Sequence, residues 1–196
     1  MKKLVELFQK EIEAIQNIPI DSSLYDAVDI IFDQVHNESG KVVVSGIGKA
    51  GQIGVNIATT LSSTGTPAVF LHPSEAQHGN LGLVQPNDVL ILISNSGKTR
   101  EIIELEGLAK KMYCHMKVIN LTGNPVSELA KLSDVILYTG KTEEICPLGL
   151  TPTTSSTVMT VIGHALVVLL MEKIDFTKDE YAKRHHGGYI GNKART

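Results

Sequence analysis

The chain has 196 residues, of which 42% are hydrophobic and 20% are charged, and its formal net charge is −3. This apolar share excludes a disordered chain and is enough for a sizeable core, so the length predicts a single domain over residues 1–196. A mildly acidic balance does not favour nucleic acid or an anionic membrane surface as a partner.

The location of the protein can also be predicted from its sequence. Glu6 lies too early for the apolar region of a signal peptide. The longest mainly apolar run, 158–171, is shorter than the roughly 20 residues of a membrane-spanning helix. The two cysteines, Cys114 and Cys146, form no CxxC pair and no metal-ligand spacing, which fits a reducing compartment. We therefore expect a soluble, cytoplasmic protein without membrane contact.

Residues 1–39 predict two amphipathic helices in an N-terminal helical hairpin. In the first helix, apolar residues recur at helical spacing at Leu4, Leu7, Phe8, Ile12 and Ile15. Asp21, a good N-cap residue, precedes a second series of apolar residues at the same spacing.

Residues 40–196 change to a pattern of short apolar runs separated by helical segments. The runs are 42–44, 68–71, 89–93, 118–121 and 135–138. Continuous rather than alternating hydrophobicity is typical of strands that are buried on both faces of a parallel sheet. The alternation of strands and helices predicts an α/β fold, doubly wound, with a mainly five-stranded parallel sheet flanked by helices. Ligands of such sheets bind at the carboxyl ends of the strands.

A glycine-rich turn follows the first predicted strand. Residues 46–51 match GxGxxG, the fingerprint of dinucleotide-binding folds. The acidic residue that should follow the second strand is missing, because the first acid there is Glu75, beyond a proline, so a nicotinamide cofactor is disfavoured. Val43 and Ala50 stand where a Walker A loop needs Gly and Ser or Thr. The turn and Lys49 favour an anionic ligand, although a tight turn with a solvent-exposed lysine fits the pattern as well.

The third predicted strand is followed by hydroxyl residues within 94–99, Ser-Asn-Ser-Gly-Lys-Thr. Hydroxyls and backbone N–H groups at a helix start can bind phosphate without a metal ion. Ordinary helix capping needs fewer hydroxyls than this segment offers. A second hydroxyl-rich segment, 151–157, precedes the last long helix. Phosphate binding is therefore predicted at two helix starts.

Acid–base side chains occupy the remaining predicted loops. They are His72, Glu75, His78, Glu143, Glu144, His185 and His186. Such groups at strand ends can abstract a proton next to a carbonyl, but solvated loop residues have the same composition. No metal-ligand spacing is present, so neither a metal site nor a cofactor is predicted.

Several of these segments together resemble the sugar isomerase (SIS) domain, and more narrowly the isomerase half of bacterial D-arabinose 5-phosphate isomerases. They are residues 46–51, 63–67, 72–76, 78–79, 94–97 and 144–153. The resemblance extends from the first strand to 186–191 and covers most of the chain. The strings STGTP and CPLGLTPT are specific to this subfamily, whereas the phosphate loop alone would not be.

The resemblance implies that the chain interconverts D-ribulose 5-phosphate and D-arabinose 5-phosphate through a cis-enediol. This reaction is the first step towards Kdo, a sugar of Gram-negative lipopolysaccharide, and it needs no cofactor. The family also implies a homo-oligomer, a tetramer or a dimer, with sites at subunit interfaces. A different phosphosugar isomerase and a non-catalytic sugar-phosphate sensor are the alternatives.

The resemblance also implies catalytic roles. Lys49 matches the lysine that stabilises developing oxyanion charge, and Glu144 matches the glutamate expected to be the enediol base. Glu101 is the competing base, or it organises Lys49. His185 matches a histidine of ring opening or proton transfer. The residues expected to bind substrate are Ser45, Gly46, His78, Ser94, Asn95, Ser96 and Thr99.

The sequence departs from the family pattern at a few positions. Asn80 replaces an aspartate after His78, and Lys98 replaces a glutamate of the phosphate loop. His186 replaces a proline, so either His185 or His186 could act. Many members continue into two CBS regulatory domains, and none is expected within these 196 residues. Feedback is then expected at the isomerase site itself, through an acidic or phosphorylated product of the Kdo pathway.

Overall fold

The computed structural model describes residues 1–195 as a parallel sheet flanked by helices. The strands are β1 (Val42–Gly46), β2 (Ala68–Phe70), β3 (Val89–Ile93), β4 (Lys117–Thr122) and β5 (Val135–Tyr138). The helices are α1 (Lys2–Gln16), α2 (Ser23–Ile31), α3 (Lys49–Ser63), α4 (Pro73–Ala76), α5 (Arg100–Met112), α6 (Glu128–Lys131), α7 (Thr154–Lys173), α8 (Lys178–Arg184) and α9 (Gly188–Arg195). A π-helical stretch, Phe32–Asn37, continues α2, and a 3₁₀ turn spans Asn80–Leu83. The predicted α/β fold class is confirmed, and every predicted strand is present.

The strand order is β2-β1-β3-β4-β5, and all four pairs of neighbouring strands are parallel. After β1 the chain forms β2 on one side of β1. It then crosses to the other side of β1 and forms β3, β4 and β5 there. The connections after β1 and β3 therefore diverge and leave a crevice at the carboxyl ends of these two strands. Gly46 pairs with Ile93 at this switch point.

Each face of the sheet has its own apolar core, because successive strand residues point to opposite sides. Val42 and Val44 belong to the core that α2, α3 and α7 cover. Val43 and Leu90 belong to the core under α4, α5 and α6. Both faces are covered by helices, which explains why the strands read as continuous apolar runs.

The two N-terminal helices are present as predicted, and both contact α7. By length and composition alone, α7 is apolar enough to cross a membrane. Half of its apolar window is buried inside the fold, as in a core helix. The helix is longer than the apolar run 158–171, because hydroxyl residues form its first turn. Gly163 brings it close to α3, since a Cβ atom there would lie 2.6 Å from Ile57.

An ion pair joins the amino ends of the two switch-point strands. Lys41 Nζ donates to Asp88 Oδ2 at 2.6 Å, and the Asp88 side chain is 1% exposed. Asp88 also accepts from the backbone N–H groups of Lys41 at 2.9 Å and Gln85 at 2.8 Å. This carboxylate holds β1 and β3 together below the crevice.

We expect Asp88→Ala to lower the free energy of unfolding by about 2–3 kcal/mol, because it leaves two backbone donors and a half-buried lysine unpaired. Asp29→Ala is the control, since it removes an exposed ion pair with Lys173 and should cost at most about 1 kcal/mol. Urea unfolding measures both, and equal losses would contradict a special role of Asp88.

Candidate active site

A cavity of about 280 Å³ lies at the switch point. Three segments form it: the turn after β1, the loop after β3, and the start of α7. Its lining residues are Ile47, Lys49, Ala50, Ile53, Ile93, Ser94, Asn95, Ser96, Thr99, Pro152, Ser155, Ser156 and Met159. Of the predicted site residues, Lys49, Ser94, Asn95, Ser96 and Thr99 therefore lie together.

The glycine-rich turn places Lys49 at the cavity. A Cβ atom at Gly46 would lie 2.8 Å from the Ala50 carbonyl oxygen, so only glycine permits this approach of α3 to β1. Lys49 is the first residue of α3, and its Nζ donates to Gln52 Oε1 at 3.2 Å. Ser45 donates to the Leu71 carbonyl oxygen at 2.6 Å. Ser45 and Gly46 therefore shape the turn, and neither lines the cavity.

The loop after β3 is held by its own hydroxyls. Ser94 Oγ and Thr99 Oγ1 are 2.8 Å apart, and the Gly97 N–H group donates to Ser94 Oγ at 3.1 Å. The Lys98 N–H group donates to Ser96 Oγ at 3.2 Å. These contacts turn the loop into the start of α5, where an anion is stabilised by the positive end of the helix.

The loop after β4 forms hydrogen bonds to the loop 94–99. The Gly123 N–H group donates to the Asn95 carbonyl oxygen at 3.1 Å, and Asn124 Nδ2 donates to the Ser96 carbonyl oxygen at 3.1 Å. Gly97 has a φ of +62°, and a Cβ atom there would lie 2.0 Å from Ser127 Oγ. The loop conformation therefore requires glycine at this position.

Glu144 binds the start of α7. Its Oε2 atom accepts from the Thr153 N–H at 2.7 Å, the Thr153 hydroxyl at 2.9 Å and the Ser155 N–H at 3.3 Å. Its Oε1 atom accepts from the Ser155 hydroxyl. Burial raises the pKa of Glu144, but the hydrogen bonds from Ser155 and Thr153 outweigh burial and lower the pKa below its ordinary value. The carboxylate is thus charged at neutral pH and fixed at a helix N-terminus.

Ser155 links Glu144 to the cavity, because Ser155 lines the cavity and Glu144 itself does not. Glu144 lines a neighbouring polar cavity of about 250 Å³. The sequence identified 151–157 as a hydroxyl-rich helix start but not Ser155 or Ser156 as site residues. Helical periodicity was the only available signal, and it does not tell which hydroxyl of a first turn faces a cavity.

Besides Ser45, Gly46 and Glu144, three further predicted residues lie outside the cavity within one chain. Glu101 is exposed on the first turn of α5, and His78 is exposed after α4. His185 ends α8, where its ring stacks on Tyr181 with centroids 3.8 Å apart. Its neighbour His186 is exposed. A single chain therefore brings the phosphate-binding groups together but not these acid–base groups.

Cys146 follows Glu144 in the same loop. Backbone N–H groups of Thr151 at 3.2 Å and Leu150 at 3.3 Å donate to its Sγ atom. The Thr151 N–H contact is the main reason why the pKa of Cys146 falls to about 7. The thiol is therefore more acidic than an ordinary cysteine.

No three His, Cys, Asp or Glu side chains of residues 1–195 form a group that could hold a metal ion. Among these residues, the polar groups that line the cavity are hydroxyls, backbone groups, one amide and the Lys49 ammonium. Hydroxyls, N–H groups and a cation bind a phosphate directly. Fold and site together define a doubly wound α/β domain with a cavity at the switch point of its sheet, lined by groups of the kind that bind phosphate.

Comparison with known proteins identifies the family. The SIS domain matches residues 36–169, more than half of the chain. The chain belongs to the SIS domain family, as the sequence motifs predict.

Several relatives are similar over most of the chain. Arabinose 5-phosphate isomerase KdsD of Shigella flexneri is 49% identical over 154 residues, 79% of this chain and 46% of that protein. The chain thus spans about half the length of this isomerase. A second relative is a candidate phosphosugar isomerase involved in capsule formation, whose crystal structure comes from Bacteroides fragilis NCTC 9343. It is 60% identical to this chain and superposes with a TM-score of 0.94, and the match covers 96% of this chain and 98% of that chain. An Escherichia coli CFT073 protein was solved in complex with arabinose 5-phosphate. It is 36% identical to this chain and superposes with a TM-score of 0.86, and the match covers 93% of this chain and 96% of that chain.

We expect Gly97→Ala to weaken phosphate binding at least about tenfold and to destabilise the fold by about 1–3 kcal/mol, because the loop must leave its left-handed conformation. Titration with inorganic phosphate and urea unfolding measure the two effects. Gly107→Ala is the matched control, since a Cβ atom there meets nothing within 4 Å and α5 gains helix propensity. Unchanged phosphate binding in Gly97→Ala would disprove the role of this loop.

Glu144 should make stability depend on pH. Since folding lowers its pKa, its contribution is fully present above the ordinary value of 4.5 and disappears as the pH falls through the lowered pKa. We expect the stability difference between wild type and Glu144→Gln to be largest near neutral pH and to shrink below pH 4.5. Urea unfolding at several pH values measures it, with the exposed Glu143→Gln as control. A difference independent of pH would contradict this origin.

Proposed function

We propose that the chain is a D-arabinose 5-phosphate isomerase that interconverts D-arabinose 5-phosphate and D-ribulose 5-phosphate through a cis-enediol. The observation that carries this proposal is the cavity that joins Lys49 to the phosphate loop 94–99. The similarity to KdsD and to a structure in complex with arabinose 5-phosphate supports this choice of substrate.

In the proposed mechanism, the hydroxyls and N–H groups of 94–99 bind the phosphate. Lys49 then faces the sugar and stabilises the negative charge that develops on its oxygen. A base removes the proton from C2 of the open aldose, and protonation of O1 gives the cis-enediol. O2 then loses its proton, and the same proton from the base or one from solvent is added to C1 to give the ketose. Glu144 and Glu101 are the candidate bases. Glu144 would have to give up hydrogen bonds to act, and its lowered pKa makes it a weaker base in this arrangement.

The complete site is proposed to form between subunits of a homotetramer. Glu101, His78 and His185 lie outside the cavity of their own chain, so a neighbouring chain would supply the acid–base groups. Exposed apolar side chains of α1, among them Leu4, Val5 and Phe8, offer a surface for association. His185 is proposed for ring opening or proton transfer, with His186 as the alternative.

The proposed setting is the cytoplasm, where the product would enter the synthesis of Kdo for lipopolysaccharide. In this proposal the cavity binds anions. An acidic or phosphorylated product of the pathway would therefore compete there with the substrate. Kdo and its nucleotide-activated form are the compounds to add to the assay, and the absence of inhibition by either would exclude such feedback.

A sugar-phosphate sensor is the second candidate. The observation that favours it is that no carboxylate or imidazole of residues 1–195 lines the cavity, whose polar groups are a cation, hydroxyls, an amide and backbone groups. A sensor would bind the phosphosugar without converting it. An isomerase for another phosphosugar is the remaining alternative. It would differ from the proposed enzyme in which phosphosugar it converts.

The first experiment is an assay of the purified protein with D-arabinose 5-phosphate, without added cofactor or metal. Ribose, glucose and glucosamine phosphates are the comparison substrates. We expect selective formation of the ketose from the arabinose ester. Thermal stabilisation by one phosphosugar without conversion of any would favour the sensor.

Variants then separate the roles of the carboxylates. We expect Glu144→Gln or Glu101→Gln, whichever removes the base, to lower kcat at least about 100-fold while the affinity for the phosphosugar is retained. Glu143→Gln is the control for Glu144→Gln, because its side chain is exposed beside the same loop. Full activity of both variants would exclude these glutamates as bases.

A further inference from the structure

The N-terminal helix contacts the start of α7 through one polar contact. Glu11 Oε1 accepts a hydrogen bond from Thr154 Oγ1 at 2.8 Å. Thr154 is 1% exposed, so this hydrogen bond is shielded from competing water. The contact joins α1 to a residue 143 positions further along the chain.

Thr154 lies between the residues that organise the site. Thr153 and Ser155, its two neighbours, donate to Glu144, and Ser155 and Ser156 line the cavity. A displacement of Thr154 would therefore move both the carboxylate and one wall of the cavity. Glu11 contacts Thr154 and does not itself line the cavity.

Stability does not explain the carboxylate at this place. Glu11 Oε2 is buried and has no hydrogen-bond partner among residues 1–195, and an unpaired buried carboxylate oxygen costs free energy. Within α1, Ala14 is the residue that is buried, whereas much of the apolar surface of the helix is exposed. An apolar side chain at position 11 would fit the same place without this cost.

We propose that Glu11 is a positioning residue of the active site, which fixes the first turn of α7 through Thr154 and thereby orients Ser155 and Glu144. The catalytic part of this proposal rests on the proposed isomerase function. Its consequence is that the placement of α1 on the body of the protein is transmitted to the cavity. The phosphate loop is a separate segment, so the effect concerns turnover more than phosphate binding.

The test compares stability with activity. We expect Glu11→Met to be at least as stable as wild type in urea unfolding, while kcat for D-arabinose 5-phosphate falls about tenfold and KM changes little. Glu11→Gln keeps the acceptor for Thr154 and should retain most of the activity. Glu6→Met is the matched control, because Glu6 is exposed on the same helix and lines neither of the two cavities at the start of α7. Thr154→Val should reproduce the loss and Thr154→Ser should avoid it.

Amide hydrogen exchange of 153–156 tests the positioning without any assay of activity. We expect faster exchange there in Glu11→Met and Thr154→Val, and no change in Glu6→Met. This readout applies even if the wild type converts no phosphosugar, so failure of the proposed function is distinguishable from failure of the positioning. Unchanged exchange in Glu11→Met would overturn the proposal. A loss of activity in Glu11→Met that is accompanied by a loss of stability would also overturn it.

Discussion

The pairing of β1 with β3 is the constraint on which the site depends. The two strands lie side by side in parallel, with Gly46 opposite Ile93, and their connections leave in opposite directions. The crevice between these connections is where the glycine turn, the phosphate loop and the start of α7 meet. The ion pair of Lys41 with Asp88 holds the other end of the same strand pair. The location of the cavity therefore follows from the topology of the sheet rather than from any single loop.

Helix starts provide the electrostatics of this crevice. The amino ends of α3, α5 and α7 contribute Lys49, Thr99 and Ser155 to one cavity, and each helix start favours a negative ligand. Glu144 also lies at the start of α7, where hydrogen bonds from Thr153 and Ser155 keep it charged. A single chain thus combines an electropositive cavity with an adjacent fixed carboxylate. The other predicted acid–base residues, Glu101, His78 and His185, lie outside this cavity.

The meeting of the glycine turn and 94–99 at one cavity could be predicted from the sequence, because both segments are local. The glycine turn and 94–99 each occupy a few consecutive residues directly after a strand, so pattern and topology place them together. Ser155 and Ser156 were not singled out, since the orientation of a helix about its axis decides which hydroxyls face the cavity. The roles of Glu101, His78 and His185 came from a family resemblance, and their own chain does not bring them to the cavity.

From the amino-acid sequence we could infer the strands, their parallel arrangement, the switch-point cavity and the family of the protein. These features are encoded in short runs and motifs whose physical basis is local, namely burial on both faces and the backbone freedom of glycine. Other features are visible in the folded structure alone, namely the hydrogen bonds of Glu144, the acidity of Cys146 and the contact of Glu11 with Thr154. Each depends on distances of a few ångströms between groups whose positions are set by packing, and packing is a property of the whole chain.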